Sequence, residues 1–142
     1  MARRTILQGG VAGALVLAVP ACGMSPEPTL AGPAAAGNVS AITADSLQMV
    51  AGANVFIGRD SGGLYAMSAV CTHAGCLLGA AGTTPESGIA CGCHGSRFDG
   101  NGAVTHGPAG RPLQHYQVDV ADDGSITVQG GIPVAASART AV

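Results

Sequence analysis

Two short boxes rich in cysteine, histidine and glycine limit this chain more than any other feature. Cys71-Thr72-His73-Ala74-Gly75-Cys76 and Cys91-Gly92-Cys93-His94-Gly95-Ser96 stand in order, with 19 residues between Cys71 and Cys91. Each box offers a thiolate and an imidazole, Cys71 with His73 and Cys91 with His94, and each carries one further cysteine, Cys76 and Cys93. Glycines let loop backbone approach a compact inorganic centre closely. Familiar cysteine motifs do not fit. One residue separates Cys91 from Cys93, so the second box is neither a dithiol Cys-x-x-Cys nor a haem attachment site, and zinc-finger ligand spacing is also missing.

The rest of the composition narrows the class. Of 142 residues, 47% are hydrophobic and only 10% charged, against about 25% charged in an average soluble domain. The six basic residues are all arginine, so a polybasic surface for nucleic acid or anionic lipid is excluded. Aromatic residues make up 3% and tryptophan is absent, which leaves a thin core of Val, Ile, Leu and Ala. A domain of this size with such a core gains from a metal or a disulfide.

Strand signals flank the boxes. Val55-Phe56-Ile57, then Arg59-Asp60-Ser61-Gly62-Gly63, then Leu64 to Val70 read as a hairpin with a glycine turn. Tyr116, Val118 and Val120 alternate with polar residues, and Asp122-Asp123-Gly124 turns the chain into Ser125 to Val128, a second hairpin. Beyond a turn around Ala44 to Met49, nothing after residue 40 has helical periodicity. The fold class is all-β. Residues 39–131 form one domain, 23–38 read as a flexible Pro/Ala/Gly tether, and 132–142 read as a loosely held tail.

Residues 1–22 look like an address. Arg3 and Arg4 precede a weakly apolar stretch, as in a twin-arginine signal, and Val19-Pro20-Ala21-Cys22 resembles a lipoprotein box that would acylate Cys22. The stretch Ile6 to Ala21 would reach about 24 Å as a helix, short of the roughly 30 Å hydrocarbon core. The expectation is export to the outer face of the cytoplasmic membrane with a lipid anchor, the alternatives being an uncleaved N-terminal helix or a released domain.

The paired boxes, Cys-Thr-His-x-Gly-Cys and Cys-x-Cys-His-Gly-Ser, resemble those of the Rieske iron–sulfur proteins, and the resemblance covers roughly residues 39–130. It implies an antiparallel β sandwich with a small cluster-binding subdomain of two loops. It also implies one [2Fe-2S] cluster, with Cys71 and Cys91 on one iron and His73 and His94 on the other, and a disulfide between Cys76 and Cys93. Two Fe(III), two sulfides, two thiolates and two neutral imidazoles carry no net charge, whereas four thiolates would leave two negative charges to oppose an added electron. Rieske centres accordingly span about −150 to +300 mV, against about −400 mV for plant-type ferredoxins. The extra cysteine pair is generally absent from Rieske ferredoxins and ring-hydroxylating oxygenases, and it points to the high-potential branch. A disulfide also suits an exported protein.

By the same resemblance Ser96 donates its hydroxyl toward the cluster, and Gly107-Pro108-Ala109-Gly110-Arg111-Pro112 forms a proline loop that covers it. Phe98 falls where quinol-oxidising members usually carry a tyrosine, and Ala74 where they commonly carry leucine. His106 and His115 match no ligand position and read as surface or rim residues. The implied function is one-electron transfer from a quinol-linked or dehydrogenase donor to a c-type cytochrome or other redox protein, without catalysis by this chain alone. One alternative is the Rieske subunit of a membrane quinol-oxidising cytochrome bc complex. The other is a structural zinc site, which would leave the protein colourless. No nucleic-acid partner is expected.

Overall fold

The computed structural model describes residues 30–79 and 88–142. Nine strands are present among them: β1 (Pro33–Asn38), β2 (Ser46–Val50), β3 (Val55–Asp60), β4 (Gly63–Ser68), β5 (Ile89–Ala90), β6 (Arg97–Phe98), β7 (Val104–His106), β8 (His115–Val120) and β9 (Ser125–Val134). A single 3-10 turn, Val39–Ala41, is capped by the Asn38 side chain, which accepts from the Ser40 amide. Six strands form one antiparallel sheet in the order β1-β9-β8-β4-β3-β2, and β5-β6-β7 form a second, smaller one.

Both faces of the β3–β4 hairpin are covered, which is why these strands read as unbroken apolar runs rather than alternating ones. Val55, Ile57, Leu64 and Ala66 enter a core to which all six strands of the large sheet contribute, including Ala36, Val50, Val118 and Val128. The sheet therefore curls around its own inner face. Phe56, Tyr65 and Met67, one residue out of phase, enter a second core with Cys71, Cys91, Phe98, Ala109 and Leu113. The hairpin is thus a shared wall between the sheet and the segment that carries the cysteine boxes.

The two sequence-read hairpins are β3–β4 and β8–β9. In the second, the Ala121 amide donates to the Ser125 carbonyl and the Gly124 amide to the Ala121 carbonyl, which closes the Asp-Gly turn. Four expectations need correction. The 44–49 segment is not a helical turn: Ser46–Val50 pairs along its whole length with β3. Within the 23–38 stretch read as a tether, Pro33–Asn38 is instead a strand whose Pro33, Ala34 and Ala35 pair with Gln129, Val128 and Thr127, and residues 23–29 lie outside the described residues. Alanines carry no apolar alternation, but they fit an edge where β9 supplies the hydrogen-bonding partners.

The C-terminal residues are held as well. Ile132, Pro133 and Val134 extend β9, and Leu64 and Thr140 exchange backbone hydrogen bonds of 2.8 Å in both directions. Gly63, at φ +127°, makes this approach possible, since a side chain there would collide with the Thr140 carbonyl. Arg139 then pairs with Asp60 at 2.7 Å, donates to Asn101 Oδ1 at 2.9 Å and lies 4.2 Å over the Tyr65 ring.

His115 is the last correction: it is 2% exposed, not a rim residue. Its Nε2 lies 2.8 Å from the Asn101 carbonyl, its ring stacks on Tyr65, and its Nδ1 has no partner. Burial pushes its pKa below 6.5; the Asn101 carbonyl opposes this and the Arg139 charge reinforces it. The fold therefore favours neutral His115, a stabilisation complete above the unfolded value of about 6.5 and lost as pH falls through it. Melting temperature is expected to drop between pH 7 and pH 5 in the wild type and to drop less in His115→Gln. Equal slopes in the two proteins would refute this role.

Candidate metal centre

Between β4 and β8 the chain carries an insertion, 69–114, whose described residues include β5, β6 and β7. Within this insertion the two boxes adopt the same backbone frame. The Cys71 amide donates to the Cys76 carbonyl at 2.8 Å and the Gly75 amide to the Cys71 carbonyl at 2.9 Å. In the second loop Cys91 donates to Ser96 at 2.8 Å and Gly95 to Cys91 at 3.1 Å. Gly75 and Gly95 close the frames at φ +74° and +79°, the left-handed region in which a side chain is strained. The repeat is hidden in the sequence because the side chains sit at different offsets. His73 is two residues beyond its cysteine, whereas His94 is three beyond and Cys93 takes the intervening place.

The frames bring the cysteines and histidines of the two boxes to one end of the insertion. Cys71 and Cys91 are free thiols, 1% and 3% exposed. His73 and His94 are exposed, with ring centroids 4.8 Å apart and planes near perpendicular. Burial pushes the Cys71 thiol up; the His73 amide and Ser96 hydroxyl pull it down, while Cys91 raises it further. Burial also acts upward on Cys91, but the amides of Cys93 and His94 and the Cys71 thiol outweigh it and hold Cys91 below the usual thiol range. Convergent N–H donors thus favour a thiolate at Cys91, the environment that an electron-rich sulfur ligand needs.

Cys76 and Cys93 form the disulfide that ties the loops together. The sulfurs of Cys76, Cys91 and Cys93 lie within 4.8 Å of one another. The bridged pair has no thiolate to offer, so it abuts Cys91 rather than adding to its donor set. Ser96, fully buried, donates to the Cys71 sulfur and accepts from the Ala109 amide at 3.0 Å. The proline loop therefore reaches the thiols through Ala109, while Gly107 and Pro108 are exposed. Thr72 also anchors that loop, donating from Oγ1 to the Arg111 carbonyl at 2.6 Å. Neither Thr72 nor Ala109 was singled out by type, because backbone partners leave no sequence signature. Phe98, 1% exposed, packs in the same core as both thiols. Cys22 lies outside the described residues.

Buried sulfur donors below and exposed nitrogen donors above, on two loops pinned to one another, suit a centre with two chemically distinct metal positions. A curled antiparallel domain bearing such a site belongs to the class of iron–sulfur proteins. The Rieske [2Fe-2S] domain profile matches residues 34–117, and the chain belongs to that family, whose members hold one such cluster.

Among curated relatives, the cytochrome b6-f complex iron-sulfur subunit of Chlorobaculum tepidum is 39% identical over 74 residues, covering 52% of this chain and 39% of that protein. Iron-sulfur subunit 2 of the same type of complex from Nostoc sp. is 45% identical over 67 residues, covering 46% of this chain and 36% of that protein. The chain thus spans well under half the length of these relatives. Among solved structures, naphthalene 1,2-dioxygenase aligns with TM-score 0.56 at 21% identity, covering 71% of this chain and 26% of that one. The Sphingomonas yanoikuyae B1 ferredoxin aligns with TM-score 0.50 at 22% identity, covering 68% and 96%. These likenesses concern the fold.

Proposed function

We propose that this protein is a one-electron carrier in which Cys71 and Cys91 hold one iron of the [2Fe-2S] cluster and His73 and His94 hold the other. The observation that carries this reading is the pair of buried, hydrogen-bonded thiols beside two exposed imidazoles. When bound, the cluster accepts and releases a single electron. Cys71 and Cys91 seat it in the apolar core, the Cys93 and His94 amides stabilise negative charge on sulfur, and His73 and His94 present their rings to a partner. The disulfide supports placement in the high-potential branch and outside a reducing compartment.

The partners that fit are a quinol-linked membrane complex or a dehydrogenase as donor and a c-type cytochrome as acceptor. Export behind the twin-arginine-like segment, with Cys22 as the lipid anchor, would place the carrier on the outer membrane face. A second reading, the iron–sulfur subunit of a cytochrome bc-type complex, is favoured by the names of the relatives. Phe98 and Ala74, standing where such subunits commonly carry Tyr and Leu, weigh against it.

Purification under air should give a red-brown protein whose voltammetric potential falls well above about −400 mV, the level of plant-type ferredoxins. A colourless, zinc-loaded protein would overturn the proposal.

Ser96 sets part of that potential. A hydrogen bond to a charged group is worth about 1.5–3 kcal/mol. If about 1 kcal/mol of this differs between redox states, the shift is roughly 40 mV, since 59 mV corresponds to about 1.4 kcal/mol for one electron. Ser96→Ala should therefore lower the potential by about 40 mV. An unchanged potential would show that the hydroxyl does not act on the cluster.

A further inference from the structure

The 135–142 segment is a strap laid on the large sheet. A turn closes it between Ala135 and Ala138, and beyond the backbone pairing of Thr140 with Leu64, Thr140 Oγ1 donates to the Val118 carbonyl at 2.7 Å. The strap carries one guanidinium, Arg139, whose side chain is only 17% exposed. All three of its nitrogens are committed. Nε donates to Asp60 of β3, Nη1 to the strap's own Ala136 and Ala138 carbonyls, and Nη2 to Asn101 Oδ1. Asp60 belongs to the sheet, whereas Asn101 belongs to the insertion. Arg139 is therefore a point at which the C-terminal strap grips the segment that bears the cysteine boxes.

What it grips is the turn 99–103, the foot of the insertion. Asp99 Oδ1 accepts from the Asn101 and Ala103 amides at 2.9 Å, and the Asp99 carbonyl accepts from Gly102 at 3.0 Å. Two carbonyls of the foot meet the sheet: Gly100 accepts from the Tyr65 hydroxyl at 2.9 Å, and Asn101 lies 2.8 Å from His115 Nε2. Gly102, at φ +79°, fits against Leu113 and Met67 with no room for a side chain. Its carbonyl accepts from the Leu113 amide at 2.9 Å. Two arms leave this foot. One runs back through Phe98 to Ser96, and the other runs forward through β7 and the proline loop to Leu113. The arms meet again where Ser96 Oγ accepts from the Ala109 amide at 3.0 Å, and the same hydroxyl donates to the Cys71 sulfur.

We propose that Arg139 is a positioning residue: through Asn101 it holds the foot of the insertion on the sheet, and so keeps Ser96 and the proline loop aimed at the cluster. This rests on the cluster site proposed above. The direction of the effect follows from the hydrogen bond at the end of the chain of contacts. With the foot released, Ser96 leaves the Cys71 sulfur for part of the time. A donor to sulfur favours the reduced, more negative cluster over the oxidised one, because hydrogen bonds strengthen with the charge of the acceptor. Weakening the grip therefore makes the carrier harder to reduce.

The test uses the loaded protein, its iron and labile sulfide measured first. Asn101→Ala cuts the grip without changing any charge. Arg139→Lys keeps the charge but loses the planar fork that reaches Asp60 and Asn101 at once. In both variants the amides of Gly102, Ala103 and Leu113 should exchange at least about tenfold faster by mass spectrometry. The voltammetric potential should fall, in the direction expected for Ser96→Ala and by less. In a Ser96→Ala background the same two changes should move it no further, since the group through which they act is gone. Faster exchange with an unchanged potential would overturn the proposal by showing that the strap only stabilises the fold. A fall that persists undiminished in the Ser96→Ala background would overturn it too. Both of these outcomes leave the carrier function standing, whereas absence of iron and labile sulfide would overturn both.

Discussion

Cys91→Ser is expected to reduce iron and acid-labile sulfide from two of each per chain to almost none. The size of the effect follows from the position. Cys91 is the point on which the amides of Cys93 and His94 and the thiol of Cys71 converge, and it is 3% exposed. A serine hydroxyl there would stay protonated and give iron no anionic sulfur. His73→Ala should have the same result by leaving one iron a ligand short. His106→Ala, an exposed histidine on β7 outside both loops, is the control and should keep the full content. Metal analysis with visible circular dichroism measures all three. A normal cluster in Cys91→Ser or His73→Ala would break the ligand assignment.

The second large effect is expected at the disulfide. Cys76 and Cys93 are separated by 17 residues, and a cross-link closing a loop of about that size stabilises by about 3 kcal/mol on the chain-entropy account. The double variant Cys76→Ser/Cys93→Ser should lose that amount. It is preferred to either single change, which would leave an unpaired thiol beside Cys91. At a urea slope of about 1–3 kcal/mol/M the midpoint should fall by one to three molar, and the cluster should bleach earlier on heating because the two frames can then part. A midpoint within a few tenths molar of wild type would mean that the shared core alone keeps the loops in register.

How much of this was legible in the sequence depends on where each signal resides. Turn chemistry is local, so Ser61 to Gly63 and Asp122 to Gly124 announced both hairpins. The paired boxes displayed the cysteines and histidines proposed as donors because side-chain identity is what ligation requires. Features built on backbone partners were silent. Ala34, Ala35 and Ala36 carry no strand pattern, and β1 exists because β9 has an open edge beside it. Thr140 is held by Leu64 main chain, and the space for it is created by a glycine far away in sequence. His115 was misread because a lone histidine gives no hint of burial; its place is set by Tyr65 and the Asn101 carbonyl. The common frame of the two loops was masked by its own contents, with histidines at unequal offsets.

The two covered faces of β3 and β4 divide the molecule by what each half requires to exist. The core inside the curled sheet draws on all six of its strands and on no described residue of the 69–114 insertion. The other core includes both free thiols and is completed by the insertion itself. On that division the first core is expected to be complete before any iron arrives, and the second to tighten on loading. Amide hydrogen exchange should show this as a chemical seam. Protection on β8 and β9 should be alike in apoprotein and holoprotein, while Cys71, Cys91 and their neighbours gain protection with the metal. Such a protein can wait, folded but unfinished, for its cofactor.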